Sequence, residues 1–136
     1  MANTYTLEVV TPERVLLSDQ VVETIAPGSE GYLGVLAGHM NLMTALVPGE
    51  VRAKFPDGRT TSHIVISGGF LEVSPTKTTI LADSAERVDE INVTQAEADL
   101  AEARRLLAAL EPGTAEFRAA ARLAALSEVR IRSART

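Results

Sequence analysis

Residues 50–81 read EVRAKFPDGRTTSHIVISGGFLEVSPTKTTIL, and this stretch decides the fold of the N-terminal part of the chain. It holds short runs rich in β-branched residues, separated by the segments Pro56-Asp57-Gly58 and Ser74-Pro75-Thr76-Lys77. Proline fixes φ, Asp accepts a local hydrogen bond and glycine tolerates a positive φ, so the first segment can close a hairpin and the second is a similar turn. Gly68-Gly69 lies inside a strand-like run and predicts a bulge or a close backbone approach. Together these features indicate a β-meander.

The same alternation of short apolar runs and turn residues extends back to the N-terminus, and no helix fits before about Asp83. The pattern predicts strands over residues 4–10, 15–17, 21–26, 32–36, 42–46, 50–55, 60–67, 70–74 and 78–81. Such spacing is typical of an all-β sandwich or barrel.

After Ala85 the period of the apolar residues changes to that of a helix. Intervals of three and four residues separate the members of one stripe, namely Val93, Ala96, Leu100, Ala103, Leu107 and Leu110. Asn92 with Gln95, or Thr94 with Glu97, would cap the start of this helix. The break at residues 111–114 leads to a second helix, with Thr114 as its N-cap. Because the break is short, we expect an antiparallel pair.

The predicted helices have facing stripes that are mostly Ala with a few Leu. At about 25 cal/mol per Å² of apolar surface, Ala in place of a core-sized side chain forgoes roughly 1 to 2 kcal/mol at each position. Alanine also raises helix propensity, so we expect persistent helices with weak mutual packing. That combination permits a switch between folded-back and extended arrangements, although a merely loose hairpin has the same composition.

Composition excludes several classes of function. The 136 residues are 46% hydrophobic and 23% charged, which indicates a folded protein. The net charge of −5 and a content of two Tyr, three Phe and no Trp make nucleic acid an unsuitable partner. No apolar run approaches the roughly 20 residues needed to span a bilayer, so we expect no direct membrane insertion. Cysteine is absent, which excludes disulfides and thiolate metal sites.

The sequence also lacks a recognisable catalytic constellation. His39 and His63 are far apart in the chain, and no phosphate-binding loop or nucleophile elbow is present. We therefore expect no catalytic residues, no metal and no cofactor. A small β-sandwich enzyme is the third and weakest of the functional hypotheses.

Several motifs together resemble the epsilon subunit of F-type rotary ATP synthase. The central one is GSEGYLGVLAGH at residues 28–39, followed by Leu42 and by LVPG at 46–49. Further matches are VVTP at 9–12, SGGFLEV at 67–73, and ILAD at 80–83 with Glu86 and Arg87. The resemblance covers essentially the whole chain.

The resemblance implies a mainly β protein with an α-helical addition. Residues 1–87 would form a flattened β-sandwich of about ten short strands, and residues 88–136 an antiparallel two-helix hairpin. The sandwich would bind the gamma subunit and the membrane c-ring, so that the three turn together in a proton-translocating ATP synthase. The hairpin would fold against the sandwich or extend to the catalytic alpha and beta subunits and inhibit ATP hydrolysis. The chain would be a non-catalytic, peripheral subunit at the cytoplasmic face of the energy-coupling membrane.

The resemblance also assigns residues to the contact with gamma and the c-ring. These are Gly28, Glu30, Gly31, Tyr32, Gly34, Gly38, His39 and Met40. Turn geometry alone also explains the glycines, and both interpretations can hold. Tyr32 stands where the family often has a polar or acidic residue.

Two further groups of residues concern the hairpin. From Phe117 onward the chain has five Arg and one Glu. We expect Arg118, Arg122, Arg130 and Arg132 to contact an acidic segment of the catalytic beta subunit, although a solvated helix face has the same composition.

Some family members bind ATP through an Ile-Asp-x-x-Arg-Ala motif, with Glu86, Asn92 and Gln95 at the related positions here. Asn92 lacks the carboxylate and Gln95 lacks the positive charge, so we expect weak or absent ATP binding. A free ATP-sensing module remains the alternative hypothesis.

Overall fold

The structure is a computed structural model that describes residues 3–38, 41–61 and 63–135. Within these residues, ten strands precede a short 3-10 helix and two α-helices. They are β1 (Tyr5–Val10), β2 (Val15–Val21), β3 (Glu23–Gly28), β4 (Gly31–Leu36), β5 (Leu42–Leu46), β6 (Gly49–Lys54), β7 (Ile64–Ile66), β8 (Gly69–Val73), β9 (Lys77–Ala82), β10 (Ala85–Arg87), the 3-10 helix Val88–Glu90, α1 (Val93–Ala109) and α2 (Ala115–Ala134). The predicted β-sandwich followed by a helical hairpin is confirmed.

The strands form one hydrogen-bonded path in the order β10-β7-β6-β3-β5-β8-β9-β1-β2, with β4 paired to β3. The first residues of β3 pair with β6, and Gly28 at its end pairs with β5. β3 therefore carries the path from one side of the sandwich to the other. β1 runs parallel to β9, which places the N-terminal segment beside the last long strand.

The core lies between the inward faces of the strands. Tyr5, Leu7 and Val9 alternate with partly exposed residues along β1, and they pack with buried residues that include Leu71 and Ile80. The Tyr5 hydroxyl lies 2.6 Å from Thr24 Oγ1 and donates to the Val35 carbonyl at 2.9 Å. Burial raises the pKa of Tyr5 above its usual value. This buried phenol therefore ties β1 to both strands of the β3–β4 hairpin.

Several predicted strand limits were wrong. β2 runs from Val15 to Val21 where 15–17 was predicted, and β3 begins at Glu23 where 21 was predicted. Within the predicted strand 60–67, the structure describes a strand at Ile64–Ile66, whereas Thr60 forms an isolated bridge to Lys54 and Ser62 lies outside the described residues. The sequence reading placed no strand at β10, since Ala85-Glu86-Arg87 is short and mostly polar.

The predicted turns formed as expected. Gly58 N donates to the Phe55 carbonyl at 3.0 Å, and Arg59 N donates to the Asp57 side chain at 3.0 Å. At Gly69, with φ of +144°, a Cβ atom would lie 2.0 Å from the Leu81 carbonyl oxygen. This is the close backbone approach that the Gly-Gly pair predicted.

Both helices begin at the predicted caps. The Asn92 side chain accepts a hydrogen bond from Gln95 N at 3.0 Å, and Thr114 Oγ1 accepts one from Phe117 N at 3.2 Å. Gln95 does not complete a reciprocal capping box, because its amide donates to Asp99 at 2.8 Å. The helices are packed together, and α2 also contacts β6, β7 and the 3-10 helix. Among the described residues, neither helix is sufficiently long and apolar to cross a membrane.

Candidate functional site

The first part of the glycine-rich segment forms the β3–β4 turn at one end of the sandwich. Gly28 pairs with Gly31 across this turn, and Gly31 has φ of +124°. A Cβ atom on Gly28 would lie 2.9 Å from the Gly31 carbonyl oxygen, so the tight turn itself requires glycine there. Glu30 and Gly34 are exposed. The turn therefore projects a carboxylate and open backbone towards solvent.

Tyr32 joins this turn to β6 and faces the hairpin. Its hydroxyl accepts a hydrogen bond from Glu50 N at 3.1 Å, while its side chain remains largely exposed. It lines a cavity of about 360 Å³ together with Ile25, Glu50, Arg52 and Arg132. Tyr32 was predicted to contact the rotor, and Arg132 was predicted to contact the catalytic beta subunit. With the hairpin folded, both side chains line one cavity.

The end of the glycine-rich segment is described only as far as Gly38. Gly38 is exposed, has φ of +77°, and donates its N–H to the Pro75 carbonyl at 3.3 Å. The segment is thereby attached to the β8–β9 turn. His39 and Met40, which the sequence also assigned to the rotor contact, lie outside the described residues.

An exposed apolar row crosses the outward face of five strands. Register places Ala45 beside Phe70, Phe70 beside Leu81, Leu81 beside Val10, and Val10 beside Val15. Val15, Phe70 and Leu81 are 60%, 55% and 52% exposed. A β-bulge between Val9 and Val10 brings Val15 to this face. We refer to these five residues as the apolar row.

Sequence reasoning missed the apolar row. The available signal was the alternation in β8, where buried Leu71 fixes Phe70 on the outward face. A contiguous row of large apolar residues on the solvent side of a sheet is a candidate for contact with a partner.

The four arginines that the sequence grouped together have different surroundings. Arg118, Arg122 and Arg132 are exposed, and Arg118 donates to the Gly113 carbonyl at 2.7 Å. Arg130 is only 14% exposed in its side chain and forms an ion pair with Glu86 of β10. Its guanidinium also lies 3.6 Å from Asp99 of α1. With the hairpin folded, Arg130 is therefore occupied within the chain.

The residues related to the nucleotide motif are also engaged within the chain. Glu86 accepts from Arg130, Asn92 caps α1, and the Gln95 amide donates to Asp99. The carboxylates of Glu86 and Asp99 flank the guanidinium of Arg130, which could otherwise attract a phosphate. Weak or absent ATP binding stays a prediction.

The segment that leads into the hairpin is attached to the sandwich. Arg14, in the β1–β2 turn, donates to both carboxylate oxygens of Glu90, at 2.9 and 3.1 Å. Arg87 N donates to Glu90 at 2.8 Å, and the Arg87 guanidinium donates to the Leu16 carbonyl. The Arg14 guanidinium, with the Arg87 N–H second, lowers the pKa of Glu90 to about 2. Residues 88–90 are thus held against the sandwich.

Comparisons with known proteins bear on both parts of the fold. The family described as ATP synthase, Delta/Epsilon chain, beta-sandwich domain matches residues 4–88. The proteins named ATP synthase epsilon chain from Brucella canis and Brucella abortus are each 48% identical over 107 residues, covering 79% of this chain and 78% of the relative.

Two solved assemblies contain similar chains. One is the Euglena gracilis mitochondrial ATP synthase, OSCP/F1/c-ring, with a TM-score of 0.78 and 26% identity over 93% of this chain and 78% of the other. The central stalk/c-ring of the Tetrahymena thermophila mitochondrial ATP synthase gives a TM-score of 0.69 at 14% identity over 97% of both chains, which shows the shared fold.

A β-sandwich with an outward apolar row, followed by a two-helix hairpin, is typical of a protein-docking module. The matches to residues 4–88 and to the Brucella proteins place this chain in the ATP synthase epsilon chain family, as a non-catalytic subunit.

Proposed function

We propose that this chain is a rotor subunit of the central stalk, which couples rotation of the gamma subunit and the c-ring to ATP synthesis. Family membership and the likeness to chains in central stalk and c-ring assemblies support this proposal. The chain would be peripheral, held by the complex at the cytoplasmic face of a membrane across which protons drive the motor. Residues 1–87 would dock on the rotor, and residues 88–136 would regulate it.

The apolar row is the observation that carries the docking proposal. Five in-register side chains form a continuous apolar strip, and three of them are more than half exposed. Contiguous exposed apolar surface on a soluble fold marks a contact with a partner, because burying it gains hydrophobic free energy. The apolar row lies on a broad sheet face, which suits a large folded partner. We assign this face to the gamma shaft.

The β3–β4 turn is a second docking element, at the end of the sandwich. Glu30 and Gly31 are exposed at its tip, and a surface groove beside it is lined by residues that include Gly34, Leu42 and Thr44. Polar groups and open backbone favour hydrogen bonding with loops over burial in a core. We assign this turn to the loops of the c-ring, and we keep Gly38, His39 and Met40 of the same glycine-rich segment as proposed rotor-contact residues.

Co-purification tests the rotor assignment. A tagged form of the full chain, expressed in its own host and purified in mild detergent, should bring down the shaft, the c-ring and the catalytic subunits, as identified by mass spectrometry. An unrelated tagged protein of similar charge serves as the control. Recovery of neither shaft nor catalytic-head subunits would refute the assignment.

We further propose that the hairpin, when extended, inhibits ATP hydrolysis by contact with the catalytic alpha and beta subunits. The small-residue packing of the helices supports this proposal, since α1 buries only Ala96 and Ala103. Arg118, Arg122 and Arg132 already face solvent, whereas Arg130 becomes available only after the hairpin leaves the sandwich.

The ATPase activity of the assembled complex tests this inhibitory role. Removing all residues after Arg87 should raise hydrolysis, and so should Arg118→Glu combined with Arg122→Glu at low salt. A complex that retains the shortened chain and hydrolyses ATP at the original rate would refute the proposal.

A further inference from the structure

Arg130 connects three elements that belong to different parts of the fold. Its guanidinium pairs with Glu86 of β10 through Nε and approaches Asp99 of α1 at 3.6 Å through Nη1. The exposed fractions of the three side chains are 14% for Arg130, 26% for Glu86 and 31% for Asp99. The second helix is therefore tied by one cation both to the sandwich and to the first helix.

Two other ion pairs join the helices of the hairpin, and they have a different character. Arg104–Glu128, at 3.8 Å, and Arg135–Glu97, at 3.7 Å, join α1 to α2 and leave the sandwich out. All four of these side chains are more than half exposed, so water and salt screen them strongly. Arg130 is better shielded and lies at the boundary between the hairpin and the sandwich. Arg130 therefore joins α2 to the sandwich as well as to α1.

The remaining contact between α2 and the sandwich is modest. Ala120 and Ala124 are among the buried residues of α2, and Val129 is its largest buried apolar residue. A charged hydrogen bond contributes about twice as much as a neutral one, and an isolated half-buried charge is costly. One well-placed pair can therefore dominate the balance between folded and detached hairpins.

We propose that Arg130, Glu86 and Asp99 form a charge latch that holds the hairpin folded in the absence of any nucleotide. The latch assigns Arg130 a role opposite to that of Arg118 and Arg122. Those two residues favour the inhibitory contact, whereas Arg130 opposes it by favouring the folded arrangement. The expected direction of the change in ATPase activity of the complex rests on the proposed inhibitory function. The latch itself does not rest on it.

The isolated full-length chain allows a direct test of the latch. Because the chain has no cysteine, spin labels can be attached at Thr76→Cys in the β8–β9 turn and Ala125→Cys on the exposed side of α2. Pulsed electron resonance then measures the distance distribution between the two labels. Arg130→Gln should raise the ratio of detached to folded hairpins about tenfold, as expected for loss of one charged hydrogen bond.

Two further variants make the test decisive. Glu86→Gln removes the same pair from the sandwich side and should shift the distances in the same way, so the test survives if Arg130→Gln does not fold. Arg104→Gln removes an exposed pair between the helices and should leave the distribution unchanged. A distribution that stays the same in both Arg130→Gln and Glu86→Gln would overturn the latch.

The assembled complex separates the latch from the inhibitory function. Arg130→Gln should lower the ATPase activity, whereas Arg122→Glu should raise it. Shifted distances with unaltered ATPase activity in both variants would retain the latch and reject the inhibitory role. A distance distribution that does not change rejects the latch whatever the activity.

Discussion

Arg14 and Glu90 form a two-point ion pair between the β1–β2 turn and the segment that precedes the hairpin. The pair is separated by 76 residues in the chain, and its side chains are 41% and 39% exposed. The pair holds the chain against the sandwich as far as Glu90. Any swing of the hairpin therefore begins beyond that residue, near Ile91 and Asn92.

The first prediction concerns the titration of Glu90. In the folded chain its pKa is about 2 against a usual value of 4.5, chiefly because Arg14 favours the carboxylate. The stabilisation is therefore complete above pH 4.5 and is lost as the pH falls towards 2. Arg14→Gln should raise the pKa of Glu90 towards 4.5, as measured by carbon-13 NMR of the side-chain carboxyl.

Arg87 N–H still donates to Glu90 in this variant, so the rise should be incomplete. Arg59→Gln, which removes the remote pair with Asp57, is the matched control and should leave Glu90 unaffected. A Glu90 pKa still near 2 after Arg14→Gln would contradict the assignment.

The second prediction concerns the buried phenol of Tyr5. Tyr5→Phe removes the hydrogen bonds with Thr24 and the Val35 carbonyl and leaves both groups buried. We expect a loss of about 1 to 3 kcal/mol in the free energy of unfolding, measured by urea denaturation. Tyr32→Phe removes one solvent-exposed hydrogen bond, from Glu50 N, and should cost less than about 1 kcal/mol. Equal effects of the two substitutions would be inconsistent with the tie between β1 and the β3–β4 hairpin.

The third prediction concerns the close approach at Gly69. An Ala side chain there would collide with the Leu81 carbonyl and would require an unfavourable φ. Gly69→Ala should therefore lower the free energy of unfolding by about 2 to 4 kcal/mol. Gly34→Ala enters open space and should change it by less than about 0.5 kcal/mol. Thermal or urea unfolding measures both, and a neutral Gly69→Ala would show that this backbone geometry is wrong.

The fourth prediction concerns ATP. Because Glu86, Asn92 and Gln95 are engaged with other groups of the chain, calorimetry of the isolated protein with Mg-ATP should show no binding in the micromolar range. GTP under the same conditions controls for weak non-specific binding. A micromolar dissociation constant for ATP would revive the hypothesis of a nucleotide-sensing module.

Local features of the fold could be predicted from the sequence, and long-range ones could not. Asn92 and Thr114 cap their helices by accepting hydrogen bonds from residues three positions further along the chain. The Gly68-Gly69 pair predicted the close approach of another backbone segment, which the structure shows at Gly69. Such features depend on neighbours in the chain. Strand β10 was not predicted, because a pattern of three residues is too short to distinguish a strand from a loop.

The apolar row and the Arg130 latch depend on pairings between distant segments. Val10 and Leu81 meet only because β1 runs parallel to β9, a register that no local pattern specifies. Arg130 and Glu86 are 44 residues apart, so the sequence showed a basic helix without showing which arginine was already paired. The motif-based resemblance supplied the family, and the structure distinguished the roles within it.

Affinity for the shaft tests the central claim, that the apolar row docks this subunit on gamma. Purified full-length chain should be titrated into the purified gamma subunit of the same organism, with Phe70→Glu compared against Leu36→Glu. Leu36 is 58% exposed and Phe70 is 55% exposed, but Leu36 lies outside the row. We predict that Phe70→Glu weakens binding by at least about 30-fold, whereas Leu36→Glu changes it by less than about threefold. Binding by Phe70→Glu as tight as that of the unaltered chain would contradict the account.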